Sequence, residues 1–234
     1  MKSKKLIRLS KSCLNDSEKK AVLGVLDREL LGMGDEVKIF ENNLTNFFNR
    51  PAVCIVNGTA ALQLALEACD ISSGDQVLVP SITYVASFQA VTATGAKVVA
   101  CDINPNTGFI DLKDAEKRLT QNTKAIMPVH YNGGVGKLDE LYSFSKKNNL
   151  RVIEDAAHAF GTKFKNKRIG SFGDIACFSF DGIKNITSGE GGCVVTSDKK
   201  VLERIKDSRL LGVEKDSDKR YSGKRSWEFD VKRQ

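Results

Sequence analysis

Short runs of β-branched and other apolar residues alternate along this chain with longer segments that have helical periodicity. The runs that predict strands are Val53–Val56, Gln76–Val79, Lys97–Cys101, Lys124–Val129 and Arg151–Glu154. The segments that predict helices are Ala60–Ala68, Val85–Thr94, Asp111–Leu119 and Leu138–Asn148. Repeated alternation of strand and helix predicts an α/β fold with crossover connections and a mostly parallel central sheet, covered by helices on both faces.

Two further strands, Ala176–Phe180 and Cys193–Thr196, are separated by a glycine-rich stretch in place of a helix, so the regular winding is interrupted there. Upstream of the first strand, Asn15–Gly34 has a helix-like pattern that stops at two glycines. We therefore divide the chain into a helical lead-in (1–34), a main domain (35–212) and a basic tail (213–234).

Composition favours an ordinary globular protein, since 41% of the residues are hydrophobic and 28% are charged. No apolar run approaches the roughly 18 residues that a membrane-spanning helix needs. The N-terminal residues 1–11 are too charged for a secretory signal. These features predict a cytoplasmic protein with no membrane partner.

Charge and cysteine content argue against two classes of site. The net charge of +7 comes from basic residues spread along the chain, with one cluster in the tail from Lys215 to Gln234, so we predict no nucleic-acid partner. The six cysteines form no C-x-x-C pair and are predicted to be core residues in a reducing compartment. With only two histidines available, we predict no metal site.

Three segments carry candidate chemistry. Asn57-Gly58-Thr59-Ala60 follows a strand and opens a helix, a geometry that favours a phosphate, although a plain N-cap by Thr59 is an equal alternative. Glu154-Asp155 ends a buried strand, so at least one of the two carboxylates needs a cationic partner, either a cofactor ring nitrogen or a structural Arg or Lys.

The third segment places Lys184 after the strand Ala176–Phe180 and before the glycine-rich loop that contains Glu190. Such a loop suits a ligand lying close to the backbone. Lys184 is therefore either close to a cofactor site or an ordinary solvated surface lysine.

Taken in order, five motifs resemble the DegT/DnrJ/EryC1/StrS family of pyridoxal-phosphate (PLP) dependent sugar aminotransferases. The motifs are N-G-T-A-A-L, V-P-S-I-T-Y-V-A-S, E-D-A-A-H-A-F-G, S-F-G-D-I-A-C-F-S-F and K-N-I-T-S-G-E-G-G. The resemblance extends from about Gly32 to about Gly212. It implies the large domain of a type I PLP-dependent transferase.

The resemblance also implies roles for single residues. Lys184 matches the lysine that forms a Schiff base with the cofactor and moves the proton during transamination. Asp155 matches the carboxylate that keeps the pyridine nitrogen protonated. Tyr84 matches the aromatic residue that stacks on the ring, and His158 matches a position beside the ring oxygen. The phosphate-contacting positions of the family match Gly58, Thr59, Ala60 and Ser179. Glu190 is given no chemical step.

By the same resemblance, the substrates are an amino-acid donor, glutamate, and a keto-deoxysugar linked to a nucleoside diphosphate, and the enzyme is a homodimer. A dehydratase branch of the family has histidine in place of the lysine, so Lys184 favours amino transfer. The segment Asp181-Gly182-Ile183 differs from the aromatic-proline version common in the family. Family members are longer and have a small C-terminal domain, so we expect that domain to be largely absent here. The alternative function is a non-catalytic fragment or pseudoenzyme.

Overall fold

The computed structural model describes residues 10–29 and 31–210. The helices of this part are α1 (Asp16–Asp27), α2 (Asp35–Phe48), α3 (Gly58–Ala68), α4 (Val85–Ala93), α5 (Leu112–Lys117), α6 (Leu138–Lys147) and α7 (Lys199–Ser208). The strands are β1 (Ala52–Ile55), β2 (Gln76–Pro80), β3 (Lys97–Cys101), β4 (Thr123–Ile126), β5 (Arg151–Asp155), β6 (Lys163–Phe164), β7 (Lys167–Arg168), β8 (Ile175–Ser179) and β9 (Gly192–Thr196). A short 3-10 turn spans Tyr131–Gly133.

Seven of these strands form one sheet in the order β1-β9-β8-β5-β4-β2-β3. The pairs from β8 through β5, β4 and β2 to β3 are all parallel. Strand β9 is antiparallel to both β8 and β1, because a loop and not a crossover helix connects β8 to β9. The mostly parallel sheet predicted from the alternating pattern is confirmed, and the interruption falls where the glycine-rich stretch predicts it.

Helices cover both faces of the sheet, as predicted. One buried cluster lies beneath α3, α4 and α7, and contains Val53, Val77, Ile153 and Ile175 from the strands. The other lies beneath α2, α5 and α6, and contains the neighbouring strand residues, such as Leu78 and Val152. Because successive side chains point to opposite faces, a strand buried on both sides is apolar at almost every position.

The N-terminal region departs from the prediction of one helix over Asn15–Gly34. Helix α1 ends at Asp27 and begins with a capping box, in which the Asn15 side chain accepts from the backbone and Glu18 bonds back to the Asn15 N–H. Leu30, part of the predicted apolar pattern, lies outside the described residues. Helix α2 was not predicted, although Leu44 and Phe48 on it are buried in the core.

Two other elements were missed, α7 and the β6–β7 hairpin. Of the six cysteines, Cys101, Cys177 and Cys193 are buried, as predicted, but Cys13 is exposed, which makes the prediction of a core position wrong there. Cys13 lies before α1, in a segment that packs little side-chain surface against the sheet. No described helix has the length and apolar character needed to cross a membrane. The predicted basic tail lies outside the described residues.

Candidate active site

The site residues predicted from sequence lie where β5 and β8 end and α3 and α4 begin. Asp155 is the last residue of β5, and its side chain is 6% exposed. Its Oδ2 accepts a hydrogen bond from Ser87 Oγ on α4 at 2.6 Å, and its Oδ1 accepts from the Ala157 N–H at 3.2 Å. The carboxylate is therefore held from two sides at the carboxyl edge of the sheet, where open α/β folds place their ligands.

The adjacent carboxylate points the other way. Glu154 is buried on the α6 side of β5, where its Oε2 lies 2.7 Å from His130 Nε2 and its Oε1 accepts from Tyr142 Oη at 2.5 Å. Neither carboxylate forms an ion pair with Arg or Lys in the described part of the chain. The sequence alternative of a structural Arg or Lys is therefore not found, and Asp155 keeps lone pairs available for a ligand cation.

The pKa of His158 is affected by both Lys184 and Asp155. Burial lowers the pKa of the half-buried His158 ring, the positive charge of Lys184 lowers it further, and the negative charge of Asp155 raises it. His158 Nδ1 accepts from the Asn132 N–H at 3.3 Å, which leaves the ring proton on Nε2. The charges of the predicted lysine and carboxylate thus both act on the predicted histidine.

Lys184 lies in a loop whose two ends are joined by backbone hydrogen bonds. Phe180 N–H donates to the Gly191 carbonyl, and the Phe180 carbonyl accepts from the Ser188 N–H, at 2.8 and 2.9 Å. Gly191 has a φ of +159° and no room for a Cβ, which would lie 2.5 Å from Ser188 Oγ. The half-buried Lys184 therefore projects from a loop with fixed ends. Glu190 is exposed.

The start of α3 and the end of β8 form a cradle that a side chain on Gly58 would fill. A Cβ on Gly58 would lie 2.9 Å from Ser179 Cβ. The N-cap of α3 is Asn57, whose Oδ1 accepts from the Ala60 N–H at 2.8 Å, so the alternative of Thr59 as the cap is wrong. The N–H groups of Gly58 and Thr59 donate to no described atom and remain available for an anion.

Tyr84 directly precedes α4 and is 72% exposed. Its ring makes no aromatic contact with the described residues, so one face is available to a planar ligand. The sequence reasoning missed Thr83 and Ser87 as site residues, although both lie in the V-P-S-I-T-Y-V-A-S motif that carries the resemblance.

Asp155 at the end of β5, Lys184 in the loop after β8 and the free N–H groups at the start of α3 therefore belong to one edge of the sheet. The sequence model of the DegT/DnrJ/EryC1/StrS aminotransferase family matches residues 12–231, and the chain belongs to that family. The chain is 43% identical over 202 residues to a GDP-perosamine synthase of Escherichia coli O157:H7, covering 86% of this chain and 56% of that protein.

The fold of the chain is also similar to those of solved aminotransferase structures. The pseudoaminic-acid pathway aminotransferase PseC of Helicobacter pylori matches with a TM-score of 0.87 and 33% identity, over 98% of this chain and 60% of that one. The putative sugar aminotransferase Spr1654 of Streptococcus pneumoniae, in its PMP form, matches with a TM-score of 0.88 and 31% identity, over 97% and 62%. The chain spans somewhat more than half the length of these relatives. The fold is that of the large domain of type I PLP-dependent aminotransferases.

Aminotransferases of this family use PLP, and Spr1654 has been solved with PLP as well. The described residues fit that group. The free N–H groups of Gly58 and Thr59 beside Ser179 suit a phosphate. Asp155 has no Arg or Lys partner among the described residues, as expected of a carboxylate that faces a cationic ring nitrogen. Lys184, in the loop after β8, would supply the amine.

Proposed function

We propose that this chain is the cofactor-binding part of a PLP-dependent aminotransferase that moves an amino group, from glutamate, to a keto-deoxysugar linked to a nucleoside diphosphate. The observation that carries the proposal is that Asp155 ends β5 beside the parallel strand β8, which leads to Lys184, and that both charges act on His158. The name of the E. coli relative supports the substrate class, because that protein is a GDP-perosamine synthase.

Each residue has a separate task in this proposal. PLP, when bound, supplies an electron-withdrawing ring that stabilises a carbanion at the substrate carbon. The Lys184 amine binds the cofactor and, when released from it, moves a proton to and from that carbon. Asp155, oriented by Ser87 and the Ala157 N–H, holds a proton at the pyridine nitrogen. The His158 Nε2–H donates to the ring oxygen of the cofactor, and the proton on Nε2 is supported by the bond that Nδ1 accepts from the Asn132 N–H.

The remaining residues bind and orient. The free N–H groups of Gly58 and Thr59 and the Ser179 hydroxyl hold the phosphate, and the exposed Tyr84 ring stacks on the cofactor. The Ala60 N–H, also predicted from the sequence to contact the phosphate, already donates to Asn57 Oδ1. The proposal includes a homodimer and a cytoplasmic location. Several apolar side chains around the site are exposed, among them Val56 at 71% and Ile183 at 66%, which supports a covering subunit.

The direct test is covalent capture of the cofactor by the 234-residue chain. The protein is incubated with PLP, reduced with borohydride and digested, and the peptides are mapped by mass spectrometry. We expect the pyridoxyl mass on the peptide that contains Lys184. Lys184→Ala removes this labelled peptide, whereas Lys199→Ala, an exposed lysine at the start of α7, leaves it unchanged.

Labelling spread over exposed lysines, with equal uptake by the Lys184→Ala variant, would refute the assignment of Lys184. Turnover is measured separately, with glutamate and a keto-sugar nucleotide as substrates. Capture at Lys184 without turnover would support the alternative of a non-catalytic fragment. Capture together with turnover would support the aminotransferase.

A further inference from the structure

Two hydroxyl groups form a chain that ends on the Asp155 carboxylate. Ser87 lies in the first turn of α4 and is fully buried, with its Oγ 2.6 Å from Asp155 Oδ2. Thr83 precedes that helix, and its Oγ1 lies 2.6 Å from Ser87 Oγ. The sequence separation of Ser87 and Asp155 is 68 positions, so this contact depends on α4 packing against the end of β5.

The direction of the chain follows from the chemistry of a carboxylate. An ionised carboxylate only accepts hydrogen bonds, so Ser87 donates its one hydrogen to Asp155. The Ser87 oxygen is then free to accept, and Thr83 donates to it. Thr83 Oγ1 also lies 3.2 Å from the Tyr84 carbonyl, but its single hydrogen suits the shorter contact to Ser87.

We propose that Ser87 is a positioning residue for the ring-nitrogen contact of Asp155, and that Thr83 fixes the direction of the Ser87 hydrogen. The inference rests on the proposed role of Asp155 in holding the pyridine nitrogen. A hydroxyl that donates to a carboxylate stabilises its ionised form, and paired hydroxyls strengthen one another in a buried site. The proton shared by the carboxylate and the ring nitrogen is therefore kept on nitrogen.

The same two bonds fix where the carboxylate points. Ser87 holds Oδ2 from α4, and the Ala157 N–H holds Oδ1 from the segment after β5, so rotation of the carboxylate is restricted. Tyr84 lies between Thr83 and Ser87 in sequence, directly before α4. One short segment thus carries the proposed stacking ring and the hydroxyls that orient the carboxylate.

The experiment uses PLP labelled with ¹⁵N in the ring, bound to the 234-residue chain, because the ring nitrogen resonance distinguishes protonated from neutral pyridine. Ser87→Ala is expected to move the resonance toward the neutral position and to weaken PLP binding about tenfold, the loss of one charge-assisted hydrogen bond. Thr83→Val, which preserves the side-chain shape but removes the hydroxyl, is expected to move the resonance in the same direction by a smaller amount.

Two variants serve as matched controls. Thr83→Ser keeps the hydroxyl and is expected to match the wild type in both the ring nitrogen resonance and the affinity for PLP. Thr92→Val removes a hydroxyl on α4 whose one partner among the described residues is the Gln89 carbonyl of the same helix, and is expected to leave resonance and affinity unchanged. Circular dichroism of the cofactor-free variants checks folding. Thr83 is half-buried. If Ser87→Ala fails to fold, the comparison of Thr83→Val with Thr83→Ser tests the role of the hydroxyls instead.

Different variants test the role of the Ser87 and Thr83 hydroxyls and the role of Asp155. Wild-type resonances in both Ser87→Ala and Thr83→Val, together with a shifted resonance in Asp155→Asn, would overturn the role of the hydroxyls. An unshifted resonance in Asp155→Asn, or no uptake of PLP by the wild type, would overturn the proposed role of Asp155 and the inference with it.

Discussion

Tyr142 bonds to Glu154 on the face of β5 opposite to Asp155, and removal of its hydroxyl should lower the free energy of unfolding. The phenol donates to Glu154 Oε1 at 2.5 Å and accepts from the Asp174 N–H at 3.2 Å. Tyr142→Phe leaves the buried Glu154 carboxylate without one donor. Loss of a hydrogen bond to a charged group costs about 1.5–3 kcal/mol, and the Asp174 N–H left without an acceptor raises the total to about 2–4 kcal/mol.

The pH dependence of the stability difference between wild type and Tyr142→Phe provides a sharper test than its size at neutral pH. Burial raises the pKa of the Tyr142 phenol, and the charge of Glu154 and its hydrogen bond raise it further. The unfolded chain releases this proton near pH 10, while the folded chain retains it. Above that pH the unfolded state binds fewer protons, so the stabilisation by Tyr142 is complete below about pH 10 and is lost as pH rises, by about 1.4 kcal/mol per unit.

The assay is urea unfolding of wild type and Tyr142→Phe at several pH values between neutral and strongly alkaline. Comparing the two proteins cancels the alkaline titration of other groups, including Cys54 and Cys69, whose pKa burial raises to about 12. Tyr131→Phe is the control, because that side chain is 44% exposed and its hydroxyl bonds to no described residue. A free-energy difference between wild type and Tyr142→Phe that stays constant above pH 10 would refute the reasoning.

Three further predictions concern the site and the core. Lys184→Met is expected to raise the pKa of His158, measured from its ring proton shifts by NMR, and an unchanged pKa would mean that the two side chains are far apart. Gly192→Ala places a Cβ 2.7 Å from backbone atoms and should lower the free energy of unfolding by about 1–3 kcal/mol, whereas Gly24→Ala, inside α1, should raise it slightly. Ellman's reagent should modify the exposed Cys13 first, and earlier reaction of a buried thiol would contradict the packing described.

Much of the fold could be predicted because strands buried on both faces leave a strong apolar signal. The strands from Gln76–Pro80 to Arg151–Asp155 were found within three residues of their ends. Helix α7 was missed although its signal is present: Asp198 caps it, and Val201, Leu202 and Ile205 are its buried face. The β6–β7 hairpin has two residues per strand, too few for any period to show.

The candidate site was predicted unevenly for a physical reason. Family motifs pointed to Asp155 and Lys184. Alternation along the strand could have predicted that Glu154 and Asp155 point to opposite faces, but nothing local to the E-D-A-A-H segment reveals which partners each carboxylate meets. Ser87 could not be predicted as a partner of Asp155, because their contact is created by tertiary packing. Asn57 could have been predicted as the cap of α3, since asparagine is among the strongest N-cap residues.

The pairing of β1 has a consequence for synthesis on the ribosome. Ala52 of β1 pairs with Val195 of β9, roughly 140 positions later. At translation rates of about 5–20 residues per second, the nascent β1 waits on the order of 10 s before its partner exists. The parallel part of the sheet, from β2 to β5, emerges earlier and can form first. Strand β1, which leads into the N-terminus of α3, is therefore among the last strands of the sheet to be paired.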